Sequence, residues 1–392
     1  MKKLHLILIL GFMVSAQVSS AIDTKKIPVV VITDLYHPYQ DPGDNLDLIN
    51  AFALPEVELR AVILDITDAF RKKVGDHPTL WKDPRGPREA GIIPLEQLNY
   101  IFNRQVPYAV GPMSLMLSET DKMPNLPAFE EKGIKLLLQV LRESNEPIEV
   151  LSFGSARLLA VAYNREPALI KEKISKIHLS AGTATDNHKM GTDQGANAIP
   201  GGEWNVALDV FAFTRLLRSD LPIELYPCAG VDGGFVKDPN DTYWRLPDVS
   251  FISGMHPKLQ RYIDYAFAQE LNYDFLKIFD NTEAPALRFD KYPQPFHFWE
   301  TAIWMNVTKR EIVYSAKGQY ELLPPSAIKS GDKIVPYQMR PCKLEVRDDG
   351  RFKFTYTQTS NIRIYYREDP ELNEKALQQA APALWRSYTI QN

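Results

Sequence analysis

Four aspartates lie close together in one stretch of the chain, VVVITDLYHPYQDPGDNLDLINAF. They are Asp34, Asp41, Asp44 and Asp47. Neighbouring carboxylates repel one another, and one of them stays protonated unless a positive charge lies between them. A hard divalent cation with oxygen ligands, Ca²⁺ or Mg²⁺, is the simplest neutraliser. The spacing therefore predicts a metal site that can activate water.

Helix capping is the alternative interpretation of these acids. Asp41 precedes a proline and suits the N-cap of a helix, and Asp44 in the first turn would interact favourably with the helix dipole. Capping accounts for Asp41 and Asp44 but not for Asp34. Asp47, one turn further along, is expected to be an ordinary polar residue of the helix.

The elements that must position these side chains are indicated by apolar runs that alternate with helical patterns. Runs of Val, Ile and Leu without polar alternation favour strands buried on both faces, and interleaved helices favour a parallel sheet. The predicted strands are 28–33, 59–64, 106–110, 148–153, 177–181 and 223–227, and the predicted helices are 44–53, 95–103, 131–143, 156–163 and 207–218. We expect a doubly wound α/β fold with a mostly parallel sheet flanked by helices. Its ligand crevice should lie beyond the carboxyl ends of the strands, where Asp34 stands.

The aspartate stretch resembles the first motif of the inosine/uridine-preferring nucleoside hydrolases, DTDPGxDD followed by a helix, a PE turn and a second strand. The letters DPG at 41–43 match, and ALPEVELRAVIL matches the turn and the strand. The insertion LYHPYQ separates Asp34 from Asp41, and the acid pair of the family is here Asp44-Asn45. The resemblance implies a nucleoside hydrolase-like fold and hydrolysis of an N-glycosidic bond.

Two later blocks resemble the family in the same order. VLSFGSARLLAVAYNREPALIKEKISKIHLSAG is similar to its strand, TGPLTN turn and helix, and places Phe153 where a backbone carbonyl contacts the metal. ANAIPGGEWNVALDVFAFTRLL is similar to its GNxxxxxEFN segment at identical spacing. Asn197, Glu203 and Asn205 thereby fall on positions that hold ribose hydroxyls. An ordinary strand–turn–helix unit and a solvated loop are the alternatives for the two blocks.

A fourth block, FHFWETAIWMNVTKREIV, resembles the family's late helix, which opens with His-Asp or Trp-Asp. The alignment places Trp299-Glu300 on that pair, so Glu300 is the implied distal metal ligand, with Glu in place of Asp. His297 is a candidate to assist the leaving base, and Trp299 is a candidate to stack on that base. The alternatives are a partly exposed histidine at a helix start and a core tryptophan.

The resemblance implies one Ca²⁺, with Mg²⁺ as the second choice, bound by the carboxylates of Asp34, Asp41, Asp44 and Glu300 and the carbonyl of Phe153. Asp41 is the expected general base. The implied substrate is a ribonucleoside or a related ribosylated compound. Its identity stays open, because the insertion, Glu300 and Asp68 all depart from the family pattern.

Two rival functions are compatible with the same residues. One is a secreted binding protein that keeps the fold and the metal but has lost the chemistry. The other is a hydrolase of an ester or phosphate with two metal ions about 4 Å apart and several histidine ligands. The seven histidines are scattered along the chain, which argues against the second rival.

Composition excludes several classes of partner. The chain has 45 Lys and Arg against 49 Asp and Glu, for a net charge of −4, so it has no basic field for nucleic acid or an anionic membrane. A small molecule is the expected partner, and self-association into a homo-oligomer is compatible with the sequence. Two cysteines, Cys228 and Cys342, are too few for a disulfide framework; one bridge or two separate thiols both remain open.

The first 21 residues have the three parts of a secretory signal peptide. Lys2 and Lys3 precede an apolar run, and small residues follow up to Ala21. We expect cleavage near Ile22 and a periplasmic or secreted protein without a later membrane span or a lipid anchor. Residues 22–392 should form a single domain, in which about 315–392 are a small β-rich antiparallel extension.

Overall fold

The structure, a computed structural model, describes residues 25–35, 41–67, 91–187, 189, 202–268 and 274–390. Its strands in chain order are β1 (Ile27–Thr33), β2 (Val57–Leu64), β3 (Tyr108–Val110), β4 (Ile148–Phe153), β5 (Ile174–Ser180), β6 (Ile223–Tyr226), β7 (Trp244–Leu246), β8 (Phe296–Phe298), β9 (Glu311–Tyr314), β10 (Tyr320–Leu323), β11 (Lys333–Val335), β12 (Tyr337–Val346), β13 (Phe352–Tyr356) and β14 (Ile362–Arg367). Its α-helices are α1 (Pro42–Ala53), α2 (Ile92–Ile101), α3 (Ala128–Glu143), α4 (Arg157–Arg165), α5 (Pro167–Lys173), α6 (Trp204–Leu208), α7 (Val210–Leu217), α8 (Pro257–Phe267), α9 (Thr301–Thr308) and α10 (Pro370–Ser387).

A nine-stranded sheet in the order β13-β12-β14-β6-β5-β4-β1-β2-β3 forms the centre of the structure. Every pairing from β3 across to β14 is parallel, and β12 and β13 continue the sheet antiparallel. The predicted doubly wound, mostly parallel sheet is therefore confirmed. The strand order reverses direction between β1 and β4, and such a switch point is where α/β sheets open a crevice for a ligand.

The first strand shows why the apolar runs become buried strands. Val29 and Val31 lie in one hydrophobic core, whereas Val30 and Ile32 lie in a second core on the other face of the sheet. Successive side chains of a strand point to opposite faces, so a run without polar alternation needs helices on both sides. The helix layers supply them, and all four side chains are fully buried.

The boundaries of the elements follow the sequence patterns closely. Strand 148–153 is found as predicted, and the predicted helix 207–218 is divided at Asp209 into α6 and α7. Asp209 caps α7, because its side chain accepts a hydrogen bond from Ala212 N. Helix α1 begins as the capping pattern indicates: Asp41 is the N-cap, and Pro42 is the first helical residue.

The β-rich C-terminal extension is also confirmed, and it is more closely integrated than an appendage. Strands β9 to β11 form a small antiparallel sheet, but β14 pairs parallel with β6 and so completes the central sheet. Helix α10 then returns across the protein, and its Trp385 is 2% exposed and lies in the same core as α1.

Several expectations lie outside the described residues, namely the signal peptide, Asp68 and Asn197. In the part of the chain that the structure describes, no helix combines the length and apolarity needed to cross a membrane. Cys228 and Cys342 are both buried, free thiols.

Candidate functional site

The candidate site lies at the switch point between β1 and β4. Asp34 follows β1 directly, and Gly154 follows Phe153, the last residue of β4 and the register partner of Thr33. A Cβ on Gly154 would lie 3.3 Å from the Cβ of Asp34 and 3.0 Å from Oδ2 of Asp65. The ends of three adjacent parallel strands therefore place Asp34, Asp65 and Phe153 side by side.

Helix α1 and the start of α9 bring the other carboxylates to the same place. Oδ1 of Asp41 accepts a 2.6 Å hydrogen bond from Gly43 N. A Cβ on Gly43 would lie 2.9 Å from that Oδ1 and 3.8 Å from Oε2 of Glu300. The other oxygen of Glu300, Oε1, accepts a 2.8 Å hydrogen bond from the hydroxyl of Ser180, at the end of β5. Asp41 and Glu300 thus meet across Gly43.

The charges that act most strongly on these carboxylates are one another's. Burial, followed by the charges of Asp65, Glu300 and Asp41, raises the pKa of Asp34 well above its usual value. Burial and then Asp34, Asp41 and Glu300 do the same to the pKa of Asp44. Burial raises the pKa of Asp41 to about 6 and that of Glu300 to about 7. The four predicted metal ligands with side-chain carboxylates therefore form one electrostatic cluster.

Asp47 belongs to this cluster as well, although the sequence indicates an ordinary polar helix residue. It is 3% exposed, and burial and the charge of Glu300 raise its pKa well above the usual value. Its Oδ2 is buried and finds no hydrogen-bonding partner among the described residues. Helical periodicity places Asp47 one turn after Asp44 on helix α1. It does not indicate that Glu300, just before α9, lies close to Asp47.

The chemistry of the donors suits a hard cation, because the cluster offers only carboxylate oxygens, one of them buried without a partner. In the conformation seen, no three Asp, Glu, His or Cys side chains of the described ranges are arranged so that they could hold an ion.

Asp65 connects the cluster to a fully buried arginine. Oδ2 of Asp65 accepts hydrogen bonds from the backbone N and the hydroxyl of Ser155, at 2.8 and 2.6 Å. Its Oδ1 lies 3.3 Å from Nη2 of Arg157, whose Nη1 lies 3.5 Å from Oδ2 of Asp209. Arg157 and Asp65 are both 0% exposed. Neither residue was predicted from the sequence, although Asp65 follows β2 just as Asp34 follows β1.

Glu203 and Asn205, the predicted ribose contacts, lie beside Ser180. Glu203 is the N-cap of α6 and accepts backbone hydrogen bonds from Gly182 N at 2.8 Å, Asn205 N at 2.9 Å and Val206 N at 3.2 Å. The amide of Asn205 donates to the carbonyl of Ser180 at 2.8 Å. Both side chains are buried and are held against the end of β5. A backbone hydrogen bond from Trp204 also reaches this carboxylate, so a ribose hydroxyl would have to displace one of its partners.

An aromatic wall, defined as Phe235, Tyr243, His297 and Trp299, stands next to Glu300. The hydroxyl of Tyr243 lies 2.9 Å from Nδ1 of His297, and the two rings stack with centroids 5.8 Å apart. Phe235, 66% exposed, meets the edges of the other three rings. Burial and then Arg245 lower the pKa of His297. His297 and Trp299 were predicted from the sequence, but Tyr243 and Phe235 carry no local signal.

No family model matches the chain. It is 27% identical over 198 residues to the pyrimidine-specific ribonucleoside hydrolase RihA of Salmonella schwarzengrund, covering 49% of this chain and 58% of that relative. The corresponding protein of Salmonella paratyphi A is 26% identical over 189 residues, covering 47% and 56%. Both matches span less than two thirds of the relatives' length.

A solved structure extends the likeness over nearly the whole chain. The purine-preferring ribonucleoside hydrolase from Gardnerella vaginalis has a TM-score of 0.51 at 14% identity, over 92% of this chain and 99% of that chain. The chain therefore has the fold of the nucleoside hydrolases.

Proposed function

We propose that the protein hydrolyses the N-glycosidic bond of a ribonucleoside or a related ribosylated compound. The observation that carries this proposal is the cluster of buried carboxylates at the switch point, with the aromatic wall beside it. The partial likeness to RihA, a ribonucleoside hydrolase, supports the same chemistry. We further propose that residues 1–21 direct export to the periplasm or the exterior.

We assign one Ca²⁺ to the cluster, held by Asp34, Asp41, Asp44 and Glu300 with the carbonyl of Phe153. When bound, such an ion lowers the pKa of a water molecule and offsets the repulsion between the carboxylates. Oε2 of Glu300 faces Asp41, because Oε1 is held by the Ser180 hydroxyl. Mg²⁺ is the less favoured ion, because it demands near-ideal octahedral geometry and usually keeps several waters, whereas Ca²⁺ accepts six to eight oxygens in variable geometry.

Asp41 is the proposed general base. Its Oδ1 is engaged by Gly43 N, so Oδ2 is the oxygen assigned to accept the proton from the attacking water. Burial raises the pKa of Asp41 to about 6 in the metal-free protein, and a bound cation would lower it and keep the carboxylate ionised, in the form that accepts a proton. The water would attack the anomeric carbon on the face opposite the leaving base.

The remaining side chains bind the two halves of the substrate. Asn205 and Glu203, together with Asn197, would hold the ribose hydroxyls and strengthen those hydrogen bonds as the sugar approaches an oxocarbenium ion. Trp299 and its neighbours offer flat apolar faces to a leaving base. Burial and the charge of Arg245 lower the pKa of His297, which favours the neutral ring. A hydrogen bond from Tyr243 to Nδ1 would leave the ring N–H on Nε2, from which it can donate a hydrogen bond to the departing base, with the proton itself coming from solvent.

The proposal is tested with purified protein that begins at residue 22. We expect one equivalent of Ca²⁺ by elemental analysis, and free ribose from at least one member of a purine and pyrimidine nucleoside panel. Addition of EGTA should abolish ribose release, and added Ca²⁺ should restore it. Bound Ca²⁺ without turnover of any ribosylated compound would instead support a binding protein, and protein without any bound ion would refute the metal assignment.

Gly43 offers a test of the geometry between Asp41 and Glu300. A methyl group there would lie 2.9 Å from Oδ1 of Asp41 and 3.2 Å from the backbone oxygen of His297, both closer than ordinary contact. We expect Gly43→Ala to lower kcat/KM for ribose release by about 10-fold or more through displacement of Asp41. In an unobstructed helix, the same change stabilises by about 1 kcal/mol. A variant that gains this stability and keeps full activity would show that the contact is not needed.

A further inference from the structure

The C-terminal extension contacts the segment that carries Tyr243, one member of the aromatic wall. Arg367, the last residue of β14, is 1% exposed. Its Nη2 lies 2.6 Å from Oδ1 of Asp241 and donates to the carbonyl of Tyr243 at 2.9 Å. Oδ1 of Asp241 also accepts a hydrogen bond from Tyr243 N at 3.1 Å. The guanidinium therefore binds the carbonyl of Tyr243 directly and holds its backbone N–H through Asp241.

The same loop is held at further points along its length. The amide of Asn240 donates to the carbonyl of Tyr365 at 2.8 Å, and Nζ of Lys237 lies 2.7 Å from a carboxylate oxygen of both Glu371 and Glu374. The second oxygen of Glu374 accepts from Arg245 N at 3.0 Å. Loop 237–245 is thus bound from end to end by β14 and the first turns of α10.

Completing a hydrophobic core would not require these ion pairs and hydrogen bonds. Burying an arginine in an ion pair has a desolvation cost, which is offset only when the geometry of the pair is good. If packing were the only requirement, an apolar residue of similar size would often stabilise the fold equally well. The planar guanidinium instead fixes the orientation of its partners, because its donors leave in set directions. What it orients here is Tyr243, whose hydroxyl meets Nδ1 of His297 at 2.9 Å.

We propose that Arg367 and Asp241 are positioning residues, through which the C-terminal extension sets Tyr243 against His297 for departure of the leaving group. This inference rests on the proposed N-glycoside hydrolysis. It assigns the extension a part in the reaction, acting on the leaving-group side of the site and not on the carboxylate cluster.

The test compares leaving groups of different quality. Nucleosides need protonation of the departing base, whereas p-nitrophenyl β-D-ribofuranoside releases a stable anion without it. For the best nucleoside, we expect Arg367→Lys to lower kcat about 10- to 100-fold and to change KM less than about 3-fold. For the p-nitrophenyl riboside, we expect kcat to fall less than about 3-fold. Lys237→Met, at a partly exposed position, should show the same pattern at about 3- to 10-fold. This second variant keeps the test valid if the buried one does not fold.

Matched controls separate positioning from general damage. Arg363→Lys alters the same strand, where the side chain donates to the carbonyl of Met339, and Lys353→Met removes a surface ion pair with Glu345. Both should keep wild-type kinetics with both substrates. Equal losses on the two substrates in Arg367→Lys and Lys237→Met would overturn the inference, and so would no loss on either.

A spectroscopic readout distinguishes failure of this inference from failure of the proposed function. Closely packed rings couple and give a near-ultraviolet circular dichroism signal, and Trp299 packs against Tyr243 and His297. The spectrum of wild type minus the spectrum of Trp299→Phe therefore isolates the signal of the aromatic wall. We expect Arg367→Lys to lose most of that signal, and Arg363→Lys to keep it. If wild type releases no ribose and Arg367→Lys loses the signal, the reaction is misassigned but the positioning holds. A signal retained in Arg367→Lys refutes the positioning.

Discussion

Asp41→Asn is expected to lower kcat for ribose release by about 10³-fold while it leaves the fold intact. The asparagine cannot accept a proton at neutral pH, and loss of a general base typically costs 10²- to 10⁴-fold. The helix should not suffer, because Asn is as good an N-cap as Asp and can keep the hydrogen bond from Gly43 N. Steady-state kinetics with the best nucleoside, together with thermal unfolding, measure both effects on one sample.

The same variant should be more stable than wild type when EGTA removes divalent cations. Burial raises the pKa of Asp41 from 3.8 to about 6. Below about pH 3 the carboxyl is mostly neutral in the folded and unfolded chains, so it costs little. As pH rises from about 3 to 6 the unfolded chain ionises first, and the wild type loses stability that the Asn variant keeps. At pH 7.5 the rise from 3.8 to about 6 corresponds to a difference of up to about 3 kcal/mol in the free energy of unfolding.

A control for this prediction is Asp248→Asn. Asp248 is an exposed acid that likewise accepts a backbone hydrogen bond two residues ahead, from Ser250 N at 2.8 Å. It should not change activity, and its effect on stability should have the opposite sign: hydrogen bonds from Ser250 lower the pKa of Asp248, so the variant should lose a small stabilisation that wild type has above about pH 4. If Asp41→Asn kept wild-type turnover, the base assignment would be refuted, and a loss of stability in EGTA would show that Asp41 serves mainly as a cap.

The sheet could be predicted from the sequence because its signals are local. The run VVVI is apolar at every position, and this alone implies that Val29 and Val30 meet different cores on opposite faces. The turn chemistry of α1 is equally local, since Asp41 and Pro42 define the first turn. The pairing of β14 with β6 could not be predicted, because 135 residues, 227–361, separate the two strands and neither strand's pattern indicates its partner.

The candidate site divides in the same way. Asp34 could be found because it follows a strand that must end at the crevice, and the same rule applies to Asp65. The resemblance instead points three residues further, to Asp68. Tyr243 and His297 are 54 residues apart, and Arg367 and Asp241 are 126 apart. No spacing rule joins such pairs, so only the packed structure shows that they meet.

Arg157→Met is expected to be the most destabilising of the substitutions considered, at about 3 to 5 kcal/mol in the free energy of unfolding. The fully buried guanidinium donates hydrogen bonds to five groups besides its contact with Asp209. These acceptors are the carbonyls of Pro112, Ile66 and Leu208, the hydroxyl of Thr67 and Oδ1 of Asp65. Methionine fills a similar volume but leaves the buried carboxylates of Asp65 and Asp209 without their countercharge. Chemical denaturation followed by circular dichroism measures the loss.

The prediction concerns the pairing of charges, so a second change should partly reverse it. Asp209→Asn combined with Arg157→Met removes one of the two uncompensated carboxylates, and burial already raises the pKa of Asp209. We expect the double variant to be more stable than Arg157→Met alone by about 1 kcal/mol or more. Arg142→Met, which removes a half-exposed ion pair with Glu166, should cost less than about 1 kcal/mol. If Arg157→Met cost no more than Arg142→Met, the ends of β2 and β4 would not depend on this arginine. Asp65 and its neighbour Asp34 would then be held in place by the strand backbones and by the hydrogen bonds from Ser155.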